Sequence, residues 1–149
     1  MKKNFLFGVV CAGICFAGSR YYFKKKPDRY YQWYKVIYQW VIIQQDKVRV
    51  ADYFRNKNYK RVAIYGMGEL GKLLLRELRD TDIEIPFTID QNARSITVSG
   101  VRTVTLKEID EDVDVIVVSV VDKFDAIRAD IEKHVSVPVV SLEDVLFSL

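Results

Sequence analysis

The stretch that most constrains this chain is Lys60–Leu75, KRVAIYGMGELGKLLL. A short apolar run, Val62-Ala63-Ile64-Tyr65, ends at Gly66-Met67-Gly68-Glu69-Leu70-Gly71, and leucines at helical spacing follow at once. Glycines in the pattern Gly-x-Gly-x-x-Gly serve three purposes between a strand and a helix. The first permits the tight turn, the second lets the backbone approach a pyrophosphate, and the third lets helix and strand pack closely. The order strand, turn, helix predicts a dinucleotide-binding βα unit. Its candidate ligand contacts are Gly66, Met67, Gly68, Glu69, Leu70 and Gly71.

Downstream, apolar runs and helical stripes alternate. Leu70, Leu73, Leu74 and Leu78 mark one helical face that ends near Arg79-Asp80. Ile83–Asp90 reads as a second strand with Pro86 near its start or on an unpaired side, because proline has no N–H to give a ladder. Val101–Thr105 reads as a third, and Thr105-Leu106-Lys107-Glu108 is a capping box that opens a short helix. Asp114–Val120 is nearly continuous in β-branched residues, as a strand covered on both faces should be. Phe124, Ile127, Ile131 and Val135 predict a helix capped by Asp122, Val137–Val140 a last strand, and Ser141 the cap of a final helix. Such alternation implies an α/β fold: a small doubly wound parallel sheet of about five strands.

Ligands of such sheets sit outside the carboxyl ends of the strands. That rule adds Asp90, Arg94 and Ser119 to the candidates. Asp90 closes the second strand 24 residues after Gly66, where a carboxylate takes the ribose hydroxyls of an adenosine. Glu69 cuts against the simplest reading, because a carboxylate in the first helical turn repels an anion or satisfies the free N–H groups itself. His134, the only histidine, falls at a helix end, where a dipole interaction accounts for it. The sequence offers no nucleophile–histidine–acid order and no metal-ligand cluster, so the residues favour a binding module over an enzyme.

Charge divides the chain. Through residue 60 it carries 13 basic and three acidic side chains, and beyond it 10 basic and 17 acidic. The acidic part argues against a nucleic-acid partner, which requires a basic face. Residues 5–18, FLFGVVCAGICFAG, carry no charge, and residues 5–23 approach the ~20 residues of a membrane helix. A cleaved signal peptide and a retained anchor both fit that stretch. Arg20, Lys24, Lys25, Lys26 and Arg29 outnumber the preceding Lys2 and Lys3, which favours an anchor with its C-terminal side in the cytoplasm. A purely cytoplasmic protein is the alternative. Gly8/Ala12 and Gly13/Ala17 have the spacing that lets two such helices form a homo-oligomer, although small residues are ordinary in spans. Residues 28–59 read as one long amphipathic helix, with Trp33, Ile37, Trp40, Gln44, Val48, Ala51 and Phe54 on its apolar face and Asn56 and Asn58 at its end. The expected organisation is an anchor with its basic flank (1–27), this helix (28–59), and the nucleotide-binding domain (60–149).

Residues 60–147 resemble the Rossmann-like "CoA-binding" module of bacterial surface-polysaccharide enzymes, the membrane-bound nucleotide-sugar dehydratase/epimerases and sugar phosphotransferases. The resemblance rests on Ile64–Gly71, Ile89-Asp90, Gly100–Val104, Asp114–Ser119 and Val137–Leu146. It implies binding of NAD(P) or a nucleotide-sugar, pathway enzymes as partners, and the bacterial inner membrane as the location. Glutamate in the glycine turn is ordinary in that family. The catalytic domain that normally follows the module has no counterpart in residues 60–149. A non-catalytic regulator or scaffold is therefore expected. The alternatives are a small oxidoreductase or nucleotide-sugar-modifying subunit completed by a partner chain, and an interaction domain with a vestigial site.

Overall fold

Five parallel strands frame the unit Val36–Leu149 in the computed structural model, which describes residues 29–95, 100–110 and 112–149. They are β1 (Val62–Tyr65), β2 (Phe87–Ile89), β3 (Arg102–Val104), β4 (Val115–Val118) and β5 (Val139–Ser141), ordered β3-β2-β1-β4-β5. Ile64 of β1 lies opposite Thr88 on one side and Val117 on the other. Helical backbone runs over residues 29–45, of which 36–45 (α1) belong to this unit. The remaining helices are α2 (Val50–Asn56), α3 (Glu69–Arg79), α4 (Phe124–Ile131) and α5 (Leu142–Phe147). In the other unit, through Lys35, the described residues 29–35 are helical and expose Tyr30, Tyr31 and Tyr34.

Every residue of β1 and β4 is buried, so both faces of the sheet are covered. Alternation along the strands sends Ala63, Tyr65, Ile116 and Val118 to one face, where they pack with Ile131 and the partly buried Phe124 and Ile127 of α4. The other face holds α3 against β1 through its buried Leu70, Leu74 and Leu78, and α2 packs on α3 and α5. The β1–α3–β2 and β4–α4–β5 crossovers thus lie on opposite faces. The strand order reverses between β1 and β4, which makes their carboxyl ends the switch point. The α/β, doubly wound parallel architecture is as the sequence predicts.

Three local expectations change. The single helix over 28–59 is two, because the chain turns at residues 46–49. Val48 N–H donates to the Ile43 carbonyl (2.9 Å), Lys47 N–H to that of Gln44 (3.2 Å), and Lys47 has φ +59°. That is a Schellman ending with lysine where glycine or asparagine is usual. Ahead of the turn the buried face of α1 is Val36, Trp40 and Ile43, while Ile37, expected on the apolar face, is exposed; beyond it α2 buries Val50, Ala51 and Phe54. The second expectation, Asp122 as cap of α4, fails: Asp122 lies in a 3-10 turn (Val121–Lys123), and Lys123 stands at the cap position without a side-chain bond. The third is the length of the second strand. Pro86 precedes β2, and Glu84 pairs only as an isolated bridge with Arg61, its carbonyl accepting from Val62 N–H (2.9 Å) and its N–H donating to the Lys60 carbonyl (2.8 Å).

Other local expectations are met. Asn58 ends α2 at φ +58°, and the Ser141 hydroxyl accepts from Asp144 N–H (2.9 Å) to cap α5. Thr105 and Glu108 form their capping box around a single 3-10 turn (Leu106–Glu108). No helix among the described residues is long and apolar enough to cross a membrane. The apolar stretch 5–23, with Cys11 and Cys15, lies outside the described residues.

Candidate functional site

At the carboxyl end of β1 the three glycines have three different surroundings. Gly66 has φ +91°, and a Cβ there would lie 2.7 Å from Val120 Cγ2. Its N–H donates to the Ile89 carbonyl (2.8 Å), which ties the turn to β2. Gly71 sits on the turn itself, since a Cβ would come within 2.0 Å of the Gly66 carbonyl oxygen. Gly68 is the opposite case: it is exposed, and a Cβ there would meet nothing within 4 Å. As the N-cap of α3 it makes no side-chain capping bond. With no side chain at the N-cap and open space above it, the start of α3 leaves room for a group to approach its backbone closely.

Glu69 leaves that backbone alone. Its side chain is 73% exposed and lies 3.3 Å from Lys72 Nζ, on the outer face of the first helical turn. Met67 and Leu70 are each 2% exposed, so what they offer a ligand is main chain. The Ser119 hydroxyl is buried, donates to the Gly66 carbonyl (2.6 Å) and lies 3.2 Å from that of Tyr65. It clamps the turn to the end of β4. Arg94 is exposed on the 3-10 turn Ala93–Ser95, and its charge acts on Glu108, whose carboxyl is held below its usual range chiefly by the Thr105 N–H.

Asp90 follows β2, half-buried, and both carboxylate oxygens are in use. One accepts from Met67 N–H and the other from Asn92 N–H, each at 2.8 Å. The carboxylate thus joins the glycine turn to the segment after β2. It also lines a cleft of about 390 Å³ with Tyr65, Gln91, Thr105, Lys107 and His134. Burial pushes the Tyr65 phenol above its ordinary range, and Gln91 Nε2 donates to its oxygen at 3.5 Å. His134 Nδ1 lies 2.9 Å from the Asp130 carbonyl, at the C-terminal end of α4. The structure therefore joins the glycine turn to Asp90 through Met67 and sets Ser119 behind the turn, while Glu69 faces Lys72 on the outer side of α3 and Arg94 is not among the residues that line the cleft.

The cleft residues Tyr65, Lys107 and His134 are absent from the sequence-based candidates as ligand contacts. Tyr65 and Lys107 carry a usable signal, since both lie at or just beyond the carboxyl end of a strand. His134 has none, because its place depends on how α4 crosses the sheet. Among the described residues no group of three or more His, Cys, Asp or Glu is placed to hold a metal ion.

Comparison with curated proteins and with solved structures finds no match. Residues 58–139 match a family model described as C2185-like, N-terminal. The match takes in the glycine turn, Asp90 and every cleft residue named above, and covers more than half of the chain. The chain belongs to the C2185-like N-terminal family.

Proposed function

We propose that this chain is a nucleotide-binding module that holds NAD(P) or a nucleotide-sugar at the carboxyl ends of β1 and β2, without catalysing a reaction itself. The observation that carries the reading is Gly68. Among the described residues nothing lies within 4 Å of a Cβ built on it, whereas the spaces at Gly66 and Gly71 are taken by the protein. The diphosphate would lie against the open start of α3, its ribose near Asp90, and a ring in the adjoining cleft. By the resemblance of residues 60–147, the setting is bacterial surface-polysaccharide synthesis. Residues 5–23 would tether the module to the inner membrane, and it would regulate or scaffold the enzymes there.

Isothermal titration of the full chain with NADH, NADPH, a UDP-sugar and coenzyme A tests this. Sub-millimolar binding of one of the first three is the expected result, and silence from all four overturns it. A second reading, an interaction domain with a vestigial site, draws on the engagement of both Asp90 oxygens by backbone. On that reading all four titrations stay flat, and Glu69→Ala restores no binding.

A further inference from the structure

On the α3 side of the sheet, α1 and α3 enclose an apolar groove of about 650 Å³. Ile37, Val41 and Leu73 line it while 44%, 49% and 44% exposed, beside the nearly buried Trp40. Large aliphatic side chains left in water within one concavity mark an interaction site. The groove's charges say what kind of partner fits. Its one carboxylate, Glu77, is saturated: it accepts from Trp40 Nε1 (2.5 Å), Gln44 Nε2 (2.9 Å) and Val50 N–H (3.3 Å). Its one guanidinium, Arg76, is exposed and pairs with no carboxylate among the described residues. The groove thus offers apolar surface and a positive charge, and supplies no free acid.

We propose that this groove receives an amphipathic helix of another protein, whose apolar stripe covers Ile37, Val41 and Leu73 and whose carboxylates meet Arg76. A cleft between two helices accepts the ridge of a third. A second copy of this chain is a poorer fit, because the same face would bring another unpaired Arg76 and another saturated Glu77. A bilayer surface is flat and does not enter a concave groove. The proposal is independent of the nucleotide reading.

The full chain, carrying Trp33→Phe so that Trp40 alone reports, is titrated with two synthetic helical peptides. Both have leucine at positions i, i+3 and i+7, one with glutamate and one with lysine on the flanks. The acidic peptide should shift Trp40 emission and bind about tenfold more tightly, because like charges facing each other are penalised. Arg76→Glu should invert that preference. Val41→Glu and Leu73→Glu, at exposed positions, should abolish binding while the circular dichroism spectrum is retained. Binding of neither peptide, or of both alike, overturns the proposal. So does self-association, or sedimentation with phosphatidylglycerol vesicles, that Leu73→Glu removes.

Discussion

Two aspartates at opposite ends of the sheet each accept two backbone N–H groups, in very different company. At the amino end, one oxygen of Asp114 takes the N–H groups of Lys60 (2.7 Å) and Arg61 (2.8 Å), drawing β1 to β4. The Arg61 side chain donates to the Asp112 carbonyl and lies 3.4 Å from a Glu84 oxygen, so donors and acceptors there are matched within the protein. At the carboxyl end, Asp90 joins Met67 to Asn92, yet it lines a cleft and, through Met67, lies next to the exposed Gly68. The same device closes one end of the sheet and, at the other, holds a turn in shape beside a cleft. The contrast separates a structural aspartate from a candidate binding one more sharply than either residue does alone.

Substitutions along this axis test it. Gly71→Ala should have the largest effect, because its Cβ meets main chain at the Gly66 carbonyl and the turn or α3 must move. A loss of about 3 kcal/mol or more is expected in chemical denaturation. A variant as stable as the parent would show that α3 is not seated on the turn. Asp114→Ala should cost about 1 kcal/mol, discounted for its exposure, and leave nucleotide affinity unchanged.

Asp114 also carries a pH signature. Hydrogen bonds from the Arg61 and Lys60 N–H groups hold its carboxyl below the usual range. Its contribution is therefore present above the unfolded value of about 4 and lost as pH falls through the folded one. Asp114→Asn should flatten this part of the acid-unfolding curve.

Asp90→Ala should cost a similar ~1 kcal/mol but, unlike Asp114→Ala, weaken nucleotide binding about tenfold or more. Equal affinity in the two variants would erase the distinction between the two ends. Gly68→Ala should move stability least, within about 0.5 kcal/mol, since its Cβ enters open space. Its effect should appear in the titration with nucleotide alone, as a loss of affinity without a shift in melting temperature.

Much of this was legible in the residues, for reasons that can be named. Strands β1 and β4 announce themselves because a parallel strand covered on both faces reads as a continuous apolar run, VAIY in the one and VIVV in the other. Asn58 reveals a helix end because asparagine tolerates the left-handed conformation. Lys47 adopts the same conformation without that advertisement, and its turn is held by carbonyls of Ile43 and Gln44 that no residue type encodes. Ser119 illustrates a second limit. Its position after β4 is readable, but its hydroxyl turns back into the glycine turn rather than outward. The cleft depends on three segments converging after β1, β2 and β3, together with the end of α4, and only His134's tertiary placement completes it.

The Ser119 clamp has a consequence for exchange with deuterated water. The Ser119 N–H donates to the Tyr65 carbonyl and the Gly66 N–H to that of Ile89, both inside the clamp, whereas Gly68 faces solvent. Those two amides should keep their protons until β1, β2 and β4 separate together, on the timescale of global opening. The Gly68 amide should exchange in the free chain orders of magnitude sooner and slow down only when something occupies the space above it.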